Sequence, residues 1–338
     1  MASPADAAEW DASLGRLVGA SFYHLFAWQA INELSFGHRS IYLIARNEGR
    51  ISGILPLTLV ASQLFGRILC SMPFMNFGGP CADDNGVVNR LLEHGRQLAR
   101  ENAADYLELR CRAPLPGDMP VSLRKISMVL QLDADPTLIW SGFSAKHRTN
   151  IRRAEKNNLV VSSGGRELLP EFYHVMEHSW RELGTPLYAR SYFEQILAHL
   201  PGATRIFLCS RRGEPVATAL NGYFGGTVEG LWNGGVAEAR SLSANYVLYW
   251  AMIRDGCERG FQRFHLGRST VNSSSETFKR KWNAEKLQLY WYFWRPDGGN
   301  APNLNVDNPR FRMAIAAWRR LPLVVTRVLG PRVARAIP

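Results

Sequence analysis

The sequence predicts two α/β domains in tandem, each built from the same run of elements. Three observations carry this expectation. At 338 residues the chain is long for a single core and suits two domains of ordinary size. Hydrophobic residues at 46% and charged residues at 20% describe a folded chain. A strand–turn–strand pattern followed by a helix–strand pattern then occurs twice: Gly49 and Gly213 in the turns lie 164 positions apart, and the strands starting at Tyr106 and Phe264 lie 158 apart. Two features repeating at nearly one offset suggest a duplicated unit.

In chain order, 41–46 reads as a strand, Asn47-Glu48-Gly49-Arg50 as a turn and 51–55 as the return strand. A helix over 87–102 leads to a strand over 106–110, and the Pro-rich stretch 112–120 reads as a loop. The boundary falls near Asp133-Ala134-Asp135-Pro136, giving a first domain over 1–135 and a second over 136–296. The second opens with a helix over 146–156 whose apolar positions are only Ile151 and Ala154, so much of it is exposed. Phe172, Val175, Met176, Trp180 and Leu183 form an apolar stripe closed by Gly184; Tyr246, Trp250, Ile253 and Cys257 form another, closed by Gly260. Both stripes read as core. Between them, 205–209, the turn Arg211-Arg212-Gly213-Glu214 and 215–220 repeat the first hairpin.

No run of eighteen apolar residues and no secretory signal pattern is visible. Cys70, Cys81, Cys111, Cys209 and Cys257 are odd in number and without a C-x-x-C pair, which predicts reduced, buried thiols, no metal site and a cytoplasmic setting. The net charge of +11 is uneven, because 310–338 hold seven arginines and no acid. Phe311, Ile315, Trp318, Val324, Val325 and Val328 recur there at roughly helical spacing. Such a stretch suits either an anionic lipid surface or packing on the first domain with its arginines in water.

The densest chemistry lies at Phe264-His265-Leu266-Gly267-Arg268-Ser269 and Phe278-Lys279-Arg280-Lys281-Trp282. A strand ending on Gly-Arg-Ser, a hydroxyl-rich loop and an aromatic–cationic cluster suit either anion binding and oxyanion stabilisation or a solvated basic hairpin. Gly-Arg-Ser followed by Phe-Lys-x-x-Trp resembles the closing motif of FemAB-type acyltransferases. The basic segment 143–156, Leu183-Gly184-Thr185-Pro186-Leu187-Tyr188 and Trp232-Asn233-Gly234-Gly235 fit the same pattern. Phe36-Gly37-His38-Arg39-Ser40, Leu55-Pro56-Leu57 and 71–80 resemble the branch associated with exosortase/PEP-CTERM and exopolysaccharide systems. The chain departs from the family pattern at three places: the loop 270–277 has no glycine, Asn283 follows Trp282, and His265 stands where Asp is common.

The resemblance implies tandem GNAT-like domains, each a mixed β-sheet flanked by helices, with the tail 297–338 completing the first. It implies an acyl- or aminoacyltransferase acting on an amino group of a cell-envelope or exopolysaccharide precursor at the cytoplasmic face of the inner membrane. A non-catalytic protein of this fold that binds a polyanion or a membrane stays open beside it. The donor is acyl-CoA or aminoacyl-tRNA, the latter making tRNA a partner; Arg310–Pro338 would give peripheral membrane contact. Arg240, Ser243 and Asn245, opening the Tyr246 helix, are the donor-binding candidates, with an ordinary capped helix as the alternative. Lys146, Arg148, Arg152, Tyr188 and Trp282 are the acceptor-side candidates, against a solvated basic helix face, a buried structural tyrosine and a tryptophan that packs the motif in place. Arg268 and Lys279 are assigned to anion contact and oxyanion stabilisation. His265, Glu276 and Glu229 are the general-base candidates, against a core histidine at 265 and catalysis by positioning alone.

Overall fold

The computed structural model describes residues 1–62, 66–299 and 309–337. Among them the strands form two seven-stranded mixed sheets, each flanked by helices, and the chain divides into two compact units. The first unit comprises Met1–Ile126 with 287–299 and 334–337; the second comprises Ser127–Lys286 with 309–333.

In the first unit, α1 (Ala7–Ser13) and α2 (Trp28–Phe36) precede the hairpin β1 (Arg39–Asn47) and β2 (Arg50–Ser62), followed by β3 (Gly66–Cys70) and the short β4 (Cys81–Ala82). Helix α3 (Asn85–Glu101) leads to β5 (Tyr106–Cys111) and β6 (Val121–Ser122). Asp84 caps α3 by accepting the Val87 N–H at 2.9 Å, and the helix lays Val87, Leu91, Leu92 and Ala99 on a core shared with Leu55, Leu57, Leu107 and Leu109. β3 and β5 pair in parallel over three residues, Ile68↔Tyr106 to Cys70↔Glu108, and then β3 ends. The following loop runs on beside β5: the Ser71 N–H donates to Glu108 O at 2.8 Å and the Gly78 N–H to Arg110 O at 2.8 Å. Met72 and Phe74 take positive φ in this loop (51° and 70°) and are buried.

In the second unit, β7 (Lys125–Gln131), α4 (Pro136–Gly142), α5 (Ala145–Glu155) and β8 (Leu159–Gly164) precede α6 (Leu169–Leu183) and α7 (Arg190–His199). A hairpin of β9 (Thr204–Arg211) and β10 (Glu214–Phe224) pairs on to β11 (Thr227–Gly235); α8 (Ala237–Ser241) and α9 (Ala244–Glu258) then lead to β12 (Arg263–Thr270). α10 (Ser274–Arg280) and β13 (Glu285–Gln288) complete the order β13-β7-β12-β11-β10-β9-β8. The repeat predicted from the turn glycines is present. Glu48–Gly49 and Arg212–Gly213 both have positive φ at both residues (49° and 83°; 52° and 84°), the geometry of a two-residue type I′ turn.

Two boundaries differ from the sequence expectation. The chain rejoins the first sheet before residue 296, because β14 (Tyr290–Trp294) pairs antiparallel with β5 from Tyr290↔Cys111 to Trp294↔Leu107. The tail that the sequence assigns to the first domain lies largely with the second: α11 (Pro309–Arg320) and α12 (Leu323–Ala334) pack along the end of α6. A Cβ on Gly184 would meet the Ile315 Cγ2 at 2.5 Å, so that glycine admits α11. Arg327 and Glu177 form a two-pronged ion pair at 2.7 and 2.9 Å. Only 334–337 stay with the first unit, where His38 Nε2 meets Arg335 O at 2.8 Å. The side chains of Arg310 and Phe311, and all of Pro338, lie outside the described residues.

Candidate functional site

The site is built around a fork. β11 and β12 pair in parallel from Thr227↔Arg263 to Glu229↔His265, and no pairing continues although β11 runs on to Gly235 and β12 to Thr270. At the crotch the backbones touch. A Cβ on Gly267 would lie 2.9 Å from Gly230 O, and one on Gly230 would lie 3.1 Å from His265 O. Gly267 has φ +81°, which turns β12 away from β11. A bulge at Leu231 shifts β11 against β10, so that Leu220↔Trp232 is followed by Asn221↔Gly230. Val228 faces Gly256 of α9, whereas Gly234 packs against Met176 and Ser179 of α6.

Lys279 braces the β12 arm of the fork and is buried. Its Nζ donates to Gly267 O at 2.7 Å, Arg268 O at 3.1 Å and Ser269 Oγ at 3.1 Å. Loss of water, and secondarily the Arg268 charge, push its pKa down to about 7. Its three protons are thus spent on the strand end, which corrects the direct anion contact assigned from sequence. Ser269 Oγ also meets Ser275 Oγ at 3.0 Å, Ser273 caps α10 through the Glu276 N–H, and buried Glu276 accepts the Asn272 N–H at 2.6 Å and pairs with Arg280. Glu276 is a loop-bracing carboxylate, not a base facing a cleft. Asn272 and Asn283 have φ of 63° and 56°, the left-handed region that glycine and asparagine adopt most readily. Asn283 further donates from Nδ2 to Gly142 O at 2.7 Å, closing the end of α4.

Arg268 is half-buried on β12 beside Lys279. His265 is a core histidine: it is buried, with Nδ1 3.6 Å from Oε2 of buried Glu229, its partner across the ladder. Trp282 is fully buried, stacked on Tyr249 at 5.7 Å and set edgewise to Phe143 and His147, so it packs the motif and offers no face to a sugar.

Arg240, Ser243 and Asn245 all fall in the passage from β11 into α9, within six residues. Arg240 is exposed on α8 and Asn245 is exposed in the first turn of α9. Ser243 is the N-cap by position but has φ +57° and makes no side-chain cap, so the first N–H groups of α9 are not closed by its hydroxyl. The same turn carries Tyr246, whose ring meets His147 at 5.5 Å and Phe278 at 5.6 Å. Around it converge α9, the basic helix α5 and α10.

On α5, Lys146 and Arg152 are exposed, and Arg152 lies over the Trp140 ring at 5.5 Å. Arg148 donates to Ser141 O at 2.9 Å and to Phe143 O, so it caps α4 rather than facing an acceptor. His147 was missed by the sequence reading. It is buried among Phe143, Trp282 and Tyr246, neither ring nitrogen has a hydrogen-bond partner, and burial followed by the Lys281 charge pushes its pKa down to about 4. Tyr188 belongs to a different cluster, with Trp180, Tyr192 and Trp232 on the α6–α7 side, and its carbonyl accepts the Tyr173 hydroxyl at 3.0 Å. Among the described residues no group of three or more His, Cys, Asp or Glu side chains makes a metal-ligand set.

Residues 145–280 match the family model described as an acetyltransferase (GNAT) domain. That span runs from α5 to the end of α10 and contains the whole fork. FemX, among solved structures, superposes with a TM-score of 0.68 at 15% identity, over 87% of this chain and 97% of that one. A C-terminal DUF2156 domain from Agrobacterium fabrum gives 0.59 at 12% identity, over 93% and 96%. L-PGS from Bacillus licheniformis gives 0.51 at 14% identity, over 98% of each chain. The fold is therefore a tandem GNAT-like one. No curated protein matches by sequence. Among the described residues no helix is long and apolar enough to cross a membrane.

Proposed function

We propose that this chain is an N-acyltransferase that seats an acyl-CoA donor in the β11–β12 fork and transfers its acyl group to a primary amine. The observation that carries this reading is the ladder that stops after three pairs inside the segment matching an acetyltransferase domain. Beyond Glu229 the edge of β11 facing β12 no longer has strand pairing, and an extended donor arm with amide groups is the kind of ligand that completes such an edge. The pyrophosphate of CoA would then meet the opening turn of α9, where backbone N–H groups, the helix dipole and Arg240 favour negative charge. Arg268 supplies positive charge on the strand end, and Lys279 braces that end. The acceptor is an amino group on a cell-envelope or exopolysaccharide precursor, a reading that rests on the motif resemblance; Lys146 and Arg152 on the exposed side of α5 suit its phosphates.

Thermal unfolding with acetyl-CoA tests the donor. At a hundred times the dissociation constant the ligand adds about 2.7 kcal/mol, a rise of roughly 5–10 °C for a domain of this size. Arg240→Ala should shrink the rise. No rise at millimolar acetyl-CoA or CoA would overturn the CoA assignment and turn the search to aminoacyl-tRNA.

A further inference from the structure

We infer that the outer faces of α11 and α12 form a docking surface for an anionic lipid bilayer. The inner faces of these helices are fixed. Ile315 fills the space left by Gly184, and Gly330 passes so close to Leu187 that a Cβ would lie 3.1 Å from its carbonyl. Arg181 donates to Leu321 O at 2.7 Å, Arg319 to Leu183 O at 3.2 Å, and Arg327 clasps Glu177. The apolar residues on the opposite sides are therefore not waiting for these contacts.

On α12, Thr326 and Gly330 are buried, while Val324 and Val328, each two positions from Thr326, are 69% and 57% exposed. Two residues on a helix are 200° apart, so the valines stand opposite the docked face. On α11, Met313 is 67% exposed and stands two positions from the half-buried Ile315, again on the far side. Exposed Arg312, Arg320 and Arg332 lie among these apolar side chains. No acidic residue occurs anywhere in 310–338, and Glu177, the carboxylate that meets the tail, is engaged by Arg327.

Fixed apolar side chains set among uncompensated arginines are complementary to a surface with negative headgroups over an apolar layer. A nucleic acid would use the arginines but has no use for the valines. α11 and α12 have twelve residues each, so they lie on a bilayer and do not cross it. The tail lies outside the segment matching the acetyltransferase domain, so this inference stands or falls apart from the acyl donor.

The test is flotation of the full chain with vesicles of phosphatidylcholine alone and of phosphatidylcholine mixed with phosphatidylglycerol. Binding is expected to the mixed vesicles only, weakening as salt is raised. Arg312→Ala, Arg320→Ala and Arg332→Ala should each weaken it about fivefold, and Val324→Ser with Val328→Ser about tenfold. All of these side chains are exposed, so an unchanged unfolding midpoint verifies the fold of each variant. A wild-type chain that does not float with mixed vesicles at low salt overturns the inference. So does a valine variant that floats like wild type, since a surface using charge alone is a polyanion site, which tRNA binding lost in the arginine variants would identify.

Discussion

A lysine at 4% exposure is held by opposing forces, and Lys279 shows which one wins. Two carbonyls and a hydroxyl around Nζ favour the ammonium. Removal from water and the neighbouring Arg268 disfavour it more, which brings the pKa from 10.5 down to about 7. Because the folded value lies below the unfolded one, the unfolded chain binds more protons between those two pH values. Stability contributed by this group therefore rises with pH above about 7. Replacing Lys279 by Met should remove that slope, which is at most about 1.4 kcal/mol per pH unit. Denaturant midpoints of wild type and variant from pH 6 to 10 report it; parallel curves would mean that the lysine keeps its proton and that the three acceptors outweigh burial. Residue-scale roles of this kind were the least legible in the sequence. Lysine in Phe-Lys-x-x-Trp reads as a ligand contact because that type is usually exposed, whereas the tryptophan reads as either a packing residue or a sugar platform. Their burial follows from α10 folding back on to β12, which no local pattern announces.

At the scale of the element, the fork depends on two glycines that approach across strands. The sequence made the hairpins and the α6 and α9 stripes readable, since turn chemistry and helical spacing are local properties. The contact between Gly230 and Gly267 joins residues 37 positions apart and carries no such mark. The tail failed for a related reason: spacing in 310–338 revealed a face but not what it faces. Gly267→Ala measures how tightly the fork is built. Left-handed backbone alone costs about 1–2 kcal/mol, and the added methyl must also move Gly230 O from 2.9 Å. Gly260 has φ +75° with nothing within 4 Å of its missing Cβ, so Gly260→Ala is the control for the first cost. The Gly267 variant should lose at least about 1 kcal/mol more than the control in chemical denaturation, and its acetyl-CoA response with it. Equal losses would show that the two backbones separate freely.

Across the whole chain the duplication is visible in both sheets, yet the two units have treated the same opening differently. In each, a pair of parallel strands stays together for three residues, β3 with β5 and β11 with β12. In the first unit the chain itself closes the gap, with Ser71 and Gly78 donating to β5, Gly79 against Cys111, and buried Met72, Phe74 and Phe77 beneath. Arg110, 158 positions before Arg268, is buried there, bonded to Glu108 at 2.7 Å and to Met75 O at 3.2 Å, with Trp291 against its guanidinium. A buried guanidinium committed to a carboxylate and a carbonyl is not presented to an incoming anion. In the second unit the strand pairing of β11 with β12 ends at Glu229↔His265, and this is the edge to which the proposed donor is assigned. The expected stoichiometry is accordingly one donor per chain, not one per domain. Calorimetric titration with acetyl-CoA should saturate at a ratio of one, and Arg268→Ala should weaken that event while leaving no second one. A ratio of two would show that the 71–80 loop gives way to a second donor.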